Sequence, residues 1–158
     1  MKILLAIDGS PCSDRAVTEV ARRPWPADSE VRIVSVVEPP APLVAEPYMA
    51  VLGYFEEVER LKRQQAAETL RKAAARLAEG EGAAGLSVST ATLDGSPRRI
   101  IVEDADAWGA DLIVVGSHGY RTWERMLLGS VSQTVAAHAH CSVEIVRCRE
   151  EKTVNREP

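Results

Sequence analysis

Aromatic residues are scarce in this chain: three tryptophans, three tyrosines and one phenylalanine occur among 158 residues. The hydrophobic core that this length allows must therefore be built mainly from valine, leucine, isoleucine and alanine. A strong excess of one charge is also missing, because 19 basic residues stand against 23 acidic ones, for a net charge of −4. This balance gives no reason to expect nucleic acid or a membrane surface as a partner.

Cysteine and long apolar runs are equally sparse. The apolar run at residues 1–7 is interrupted by Asp8, too early for a signal peptide or a membrane span. Cys12, Cys141 and Cys148 are odd in number and form no C-x-x-C pair, which predicts reduced thiols in a cytoplasmic protein. Cys12 falls in the first turn of a predicted helix, where the pKa of a thiol is lowered. It is therefore either a redox-sensing thiol or a small buried residue.

Predicted strands and helices alternate along the chain, which is typical of an α/β fold with parallel strands and helices on both faces of the sheet. Right-handed crossovers between five strands give a doubly wound open sheet. We predict one domain over residues 1–148 and a charged, disordered tail over residues 149–158. The predicted strands span residues 1–7, 31–37, 86–93, 111–116 and 142–147. The predicted helices begin at the Ser10-Pro11 and Ser96-Pro97 pairs and span about residues 50–78 and 130–140.

Two strand ends carry residues suited to a ligand, which binds beyond the carboxyl ends of the strands in such sheets. Asp8 follows the first strand, and Gly116 and Gly119 follow the fourth. These glycines allow positive φ and close backbone approach, so their loop can present N–H groups to an anion. Gly129-Ser130 then supplies a helix N-terminus, which favours phosphate. In the alternative interpretation the glycines only make turns and the serine only caps its helix.

The spacing G-x2-G-x9-G-S, from Gly116 to Ser130, resembles the ATP-binding motif of the universal stress protein family. The resemblance covers about residues 2–147 and rests on several segments in the same order. It implies a Rossmann-like sheet with strand order 3-2-1-4-5, in which strands one and four are neighbours. The matching segments are LLAIDGSPCSDRAV, GADLIVVGSHG and LLGSVSQTVAAHAHCSVEIVR.

The same resemblance implies that ATP lies across the crevice between the first and fourth strands. Asp8 would contact the ribose or hold a phosphate-bound Mg²⁺ indirectly; the alternative is that it accepts hydrogen bonds within its own turn. The nucleotide-binding residues that the resemblance implies are Ala6, Asp8, Val36, Val115, Gly116, Gly119, Gly129, Ser130, Val131 and Ser132.

The sequence favours an ATP-binding stress-response regulator with little or no hydrolysis, and we assign no catalytic residue. A weak Mg²⁺-dependent ATPase using Asp8, His118 and Arg121 is one alternative, and an interaction module that no longer binds nucleotide is another. The resemblance also implies a homodimer paired through the last strand, although Glu144 departs from the apolar residue usual there. Protein partners stay unknown, and the segment at residues 38–48, with four prolines, would gate the site or contact one of them.

Overall fold

The computed structural model describes residues 1–39, 48–83, 85–119 and 128–148. The strands are β1 (Lys2–Ala6), β2 (Glu30–Val37), β3 (Ser87–Asp94), β4 (Leu112–Gly116) and β5 (Ser142–Val146). The α-helices are α1 (Pro11–Arg22), α2 (Tyr48–Glu79), α3 (Pro97–Trp108) and α4 (Ser130–His138). All strand pairs are parallel and follow the order β3-β2-β1-β4-β5. The predicted fold class and strand order are therefore confirmed.

Side chains of β1 alternate between two hydrophobic clusters, one on each face of the sheet. Ile3 and Leu5 are fully buried against α1 and α2, in the cluster that contains Val20. Leu4 is equally buried on the opposite face, where Ile101 of α3 packs. The core is aliphatic on both faces, as the shortage of aromatic residues predicts.

The two Ser-Pro pairs both start helices, as predicted, but they do so differently. Ser10 is the N-cap of α1, and its hydroxyl oxygen accepts a hydrogen bond from the Ser13 N–H at 3.3 Å. Ser96 is the N-cap of α3, yet within the described part of the chain it makes no such side-chain bond. In both cases proline occupies the first helical position, where its missing N–H leaves no donor unpaired.

The edge strands, β3 and β5, differ from the central ones. Residues 87–90 of the edge strand β3 are exposed, whereas residues 91–93 are half-buried. Glu144 lies in the middle of β5, and its carboxylate accepts two hydrogen bonds from the Arg23 guanidinium, at 2.7 and 2.8 Å. The carboxylate also raises the pKa of Arg23.

The prediction of three reduced thiols is wrong for two of them, since Cys12 and Cys148 are joined in a disulfide. Their Cα atoms lie 5.1 Å apart although 136 positions separate them in sequence. Carboxyl ends of parallel strands meet at one edge of a sheet, so the residues that follow β1 and β5 come together there. Cys141 is a free thiol.

Several predictions fall on residues outside the described ranges. They concern Arg121, most of the proline-rich segment (40–47) and the tail at 149–158. Among the helices that are described, none is both long and apolar enough to cross a bilayer.

Candidate functional site

A cleft of about 600 Å³ opens at the carboxyl edge of the sheet, where the winding reverses between β1 and β4. Such switch points are where ligands bind in doubly wound sheets. The structure brings eight of the ten predicted site residues into its lining: Asp8, Val36, Gly116, Gly119, Gly129, Ser130, Val131 and Ser132.

Ala6 and Val115 are the two predicted residues that the described lining of the cleft does not include. They are Cα partners in the pairing of β1 with β4 and are 8% and 3% exposed. Both side chains pack in the cluster with Ile101 and Val135. They therefore support the floor of the cleft from within the core, and a contact with a ligand stays a prediction.

Asp8 serves the turn after β1 and also faces the opposite loop. Its Oδ1 accepts a hydrogen bond from the Ser10 N–H at 2.9 Å, as expected of an aspartate in a turn. Its Oδ2 lies so close to Gly119 that a Cβ added there would be 2.6 Å away. A Cβ at position 119 would displace the Asp8 carboxylate from its present place beside the cleft, and glycine leaves room for it.

Close approach, and not backbone conformation, explains the glycines after β4. The described glycines with positive φ are Gly9, Gly85, Gly95 and Gly109, so Gly116 and Gly119 do not use the positive φ that glycine allows. A Cβ on Gly116 would lie 2.8 Å from backbone atoms of Cys12 and Ser13. The first turn of α1 packs directly on β4 at this point, and only glycine leaves room for it.

Ser117, which the sequence analysis passes over, connects the parts of the site. It is 2% exposed, and its N–H donates to the Val146 carbonyl at 2.8 Å. Its own carbonyl accepts from the Gly129 N–H at 2.7 Å and from the Ser132 hydroxyl at 3.1 Å. Its hydroxyl contacts the Cys12 Sγ at 3.7 Å. The only signal in the sequence is its place between the two glycines of the loop.

The N-terminus of α4 points its first N–H groups into the cleft. Gly129 is the N-cap, so the N–H groups of Ser130, Val131 and Ser132 have no acceptor within the helix. The Ser132 hydroxyl must donate to carbonyl oxygens, those of Gly129 at 2.8 Å and Ser117, because a carbonyl only accepts. Ser132 thus holds the loop, while the exposed Ser130 keeps its side chain at the cleft.

The opposite side of the cleft, beyond β2 and β3, carries residues that the sequence analysis misses. Lys62 and Arg98 bring positive charge, and the Lys62 ammonium donates to the Glu38 carbonyl at 3.0 Å. On α2 the spacing of the lining residues follows one helical face, but nothing in the sequence shows that this face meets the cleft. The missed residues on this side include Lys62, Gln65, Thr69, Ser96 and Arg98.

His118 is half-buried and lines the cleft, with its Nδ1 at 3.1 Å from the Ser117 hydroxyl. This contact directs the ring toward the supporting serine. Ser10 also reaches this residue, because its hydroxyl donates to the His118 carbonyl at 3.3 Å. The loop after β4 is therefore joined to the start of α1 by the Ser10–His118 bond and by the Ser117–Cys12 contact.

The sheet order agrees with what comparison with known proteins finds. The sequence model of the Universal stress protein family matches residues 1–147. The chain belongs to the universal stress protein family. One relative within this family, a universal stress protein of Methanocaldococcus jannaschii, is 35% identical over 146 residues, which cover 92% of this chain and 81% of that protein.

Solved structures of universal stress proteins share the fold. The one from Lactobacillus plantarum has a TM-score of 0.76 at 24% identity and covers 93% of this chain and 97% of its own. Another, a universal stress protein in complex with cAMP, has a TM-score of 0.61 at 27% identity, with coverage of 93% and 96%. Each is similar to this chain over nearly its whole length.

Proposed function

We propose that this universal stress protein binds ATP in the cleft and acts as a regulator, with little or no hydrolysis. The observation that carries the proposal is the meeting of three features in one cleft: the α4 N-terminus, the closely packed loop at residues 116–119 and the Asp8 carboxylate. Free N–H groups at a helix N-terminus favour phosphate through both hydrogen bonds and the helix dipole.

Charge on the other side of the cleft supports the same ligand. Lys62 and Arg98 line it, and cations within reach of a polyphosphate strengthen its binding. The half-buried Val36 offers an apolar surface to a base. A similar universal stress protein is described in complex with cAMP, so an adenine nucleotide suits this fold. Asp8 would hold Mg²⁺ indirectly through the phosphates.

A regulatory role is favoured over turnover because hydrolysis needs a group that orients the attacking water and a charge that stabilises the transition state. His118 is a described candidate for the group that orients water, because it lines the cleft. Its Nδ1, however, faces the Ser117 hydroxyl. We also propose a cytoplasmic location and a homodimer that pairs through β5, an edge strand whose edge can accept a second copy.

The direct test begins with freshly purified protein, denatured to release and identify any bound nucleotide. ATP is then titrated with and without Mg²⁺ by calorimetry, and phosphate release is assayed. We expect micromolar binding without turnover. Steady phosphate release would make the protein an ATPase, and the absence of binding would leave the glycine motif with a structural role alone.

One pair of variants makes the test specific to the α4 N-terminus. Ser130→Asp adds a negative charge where phosphate is proposed to bind, while an acidic residue at a helix start is favourable for the fold. Ala136→Glu adds the same charge at an exposed position of α4 about 9 Å farther along the axis. Ser130→Asp should weaken ATP about tenfold or more, and Ala136→Glu should leave it nearly unchanged. Equal effects would remove the assignment.

A further inference from the structure

The disulfide between Cys12 and Cys148 lies directly behind the cleft. Cys12 is the second residue of α1, four positions after Asp8, and is 7% exposed. Cys148 lies two positions after β5 and is half-buried. The bond therefore links the turn after β1 to the end of the last strand, across β4 and the loop that follows it.

Ser117 connects this bond to the cleft. Its hydroxyl contacts the Cys12 sulfur, and its N–H donates to Val146, two residues before Cys148. Ser117 therefore contacts one cysteine of the disulfide directly and is bonded to the strand that leads to the other. The Ser117 carbonyl in turn holds the Gly129 N–H and the Ser132 hydroxyl, which set the start of α4.

We propose that Cys12 and Cys148 form a reversible thiol–disulfide pair that sets the affinity of the cleft for phosphate through Ser117. This inference rests on the proposed function for its ligand, but not for its redox chemistry. When the bond is closed, Ser117 is held from both sides and the α4 N-terminus is fixed. When the bond is open, the residues after β5 are no longer tied to α1, so the two partners of Ser117, Cys12 and Val146, can shift independently of each other. Ser117 acts here as a positioning residue.

The reaction needs a disulfide as oxidant, and oxidised glutathione supplies its chemical class. The more accessible Cys148 attacks as a thiolate, having given up its proton, forms a mixed disulfide and releases one glutathione thiolate. The Cys12 thiolate, having lost its proton, then attacks the Cys148 sulfur and releases the second. Two thiols are oxidised, one glutathione disulfide is reduced to two thiols, and excess reduced glutathione reverses both steps.

Cys141 provides a control within the same chain. It packs in the hydrophobic cluster on the α3–α4 face of the sheet, on the opposite side from α1. Burial raises the pKa of the Cys141 thiol, so less of it is present as the reactive thiolate. In a cytoplasmic protein, disulfides are mostly transient and redox-sensing, which agrees with a pair that opens and closes.

The experiment equilibrates the full chain and the variants Cys141→Ser and Cys148→Ser in buffers of defined ratio of reduced to oxidised glutathione. Intact mass after thiol alkylation reports the bond. Amide hydrogen exchange at Ser117 and Gly129 reports the loop, and calorimetry reports the affinity for ATP. In wild type and Cys141→Ser, oxidation should slow exchange at Gly129 at least about threefold and tighten ATP about fivefold or more. Cys148→Ser should show neither response.

Failure of this inference is distinguishable from failure of the proposed function. If no Cys12–Cys148 bond forms at any glutathione ratio, or if it forms without changing exchange and affinity, the inference is overturned. If oxidation slows exchange at Gly129 but ATP binds in neither state, the coupling of the thiol pair to the loop is upheld and the proposed ligand is wrong. A response that persists in Cys148→Ser would assign the effect to another group and overturn the pair.

Discussion

The two sides of the cleft are built in different ways. On the β1–β4 side the supporting serines are buried and bonded within the protein: Ser10 is 1% exposed, and Ser117 and Ser132 are each 2% exposed. On the β2–β3 side, Ser96 and Arg98 are exposed. The first side is therefore held by bonds within the protein, whereas the second side leaves the Ser96 and Arg98 side chains exposed at the cleft.

The two Ser-Pro pairs differ in the same way as the two sides of the cleft. Ser10 caps α1 and donates to the His118 carbonyl, so its hydroxyl is used by the fold. Ser96 starts α3 after the same kind of strand but keeps its side chain at the cleft. In the described part of the loop after β4, the His118 carbonyl supplies the acceptor that the Ser10 hydroxyl uses.

The largest effect should come from filling the contact between β4 and α1. Gly116→Val places a branched side chain against the backbone of Cys12 and Ser13, so we expect the free energy of unfolding to fall by about 3 kcal/mol. Gly53→Ala is the matched control, since Gly53 is exposed in α2 with no atom within 4 Å of an added Cβ. It should gain about 1 kcal/mol. Denaturant unfolding measures both, and a tolerated Gly116→Val would contradict the close packing.

A smaller loss of stability should distinguish the two N-cap serines, Ser10 and Ser96. Ser10→Ala removes the cap of α1 and the partner of the His118 carbonyl, so it should cost about 2 kcal/mol of stability. Ser96→Ala should change the stability by less than about 0.5 kcal/mol, because its hydroxyl makes no described capping bond. Thermal unfolding of the two variants measures the contrast. Equal losses would show that the two helix starts are equivalent.

Gly129→Val should act on the ligand more than on the fold. The φ of −61° at Gly129 suits any residue, and an added Cβ would lie 3.1 Å from the Ser117 carbonyl oxygen. Its branches would occupy the space proposed for phosphate, weakening ATP at least tenfold, or about 1.4 kcal/mol. Ala137→Val, at an exposed position of the same helix, is the control. Calorimetric titration of ATP tests this on variants that circular dichroism shows to be folded. An unchanged ATP affinity in Gly129→Val would remove the phosphate assignment.

The smallest effect belongs to the cations of the β2–β3 side. Lys62→Met and Arg98→Met should each weaken ATP about threefold in 50 mM salt, and the loss should shrink in 500 mM salt because exposed charges are screened. The loss in Gly129→Val should persist at both salt concentrations, since it is steric. Titrations at the two concentrations test this, and a loss independent of salt would contradict a role through charge.

The sequence predicts this fold well because its signals are local. β-branched runs mark the strands, and Ser-Pro pairs mark two helix starts within one residue. The order of the strands is not local, and it came from the resemblance to a family. Lys62 and Arg98 escaped prediction for the same reason: each lies on a helix whose orientation toward the cleft depends on packing. The Cys12–Cys148 bond escaped because 136 positions separate partners that only the sheet edge brings together.

The glycines after β4 show which of two predicted properties the fold uses. Glycine allows both positive φ and close approach, and Gly116 and Gly119 use close approach without positive φ. The close neighbour is distant in sequence in each case, the first turn of α1 for Gly116 and the Asp8 carboxylate for Gly119. Spacing alone identifies where such glycines occur, while the atoms that require them become visible only in the folded protein.

The ion pair between Arg23 and Glu144 affects how two copies of the chain could pair through β5. A two-fold axis through the middle of β5 would set Glu144 opposite its own copy, and like charges facing each other across antiparallel strands are unfavourable. The guanidinium of Arg23 in the same subunit already pairs with this carboxylate. Each copy would therefore present a neutral ion pair at the axis and not an unpaired negative charge. Glu144 is thereby compatible with the homodimer proposed above, which pairs through β5.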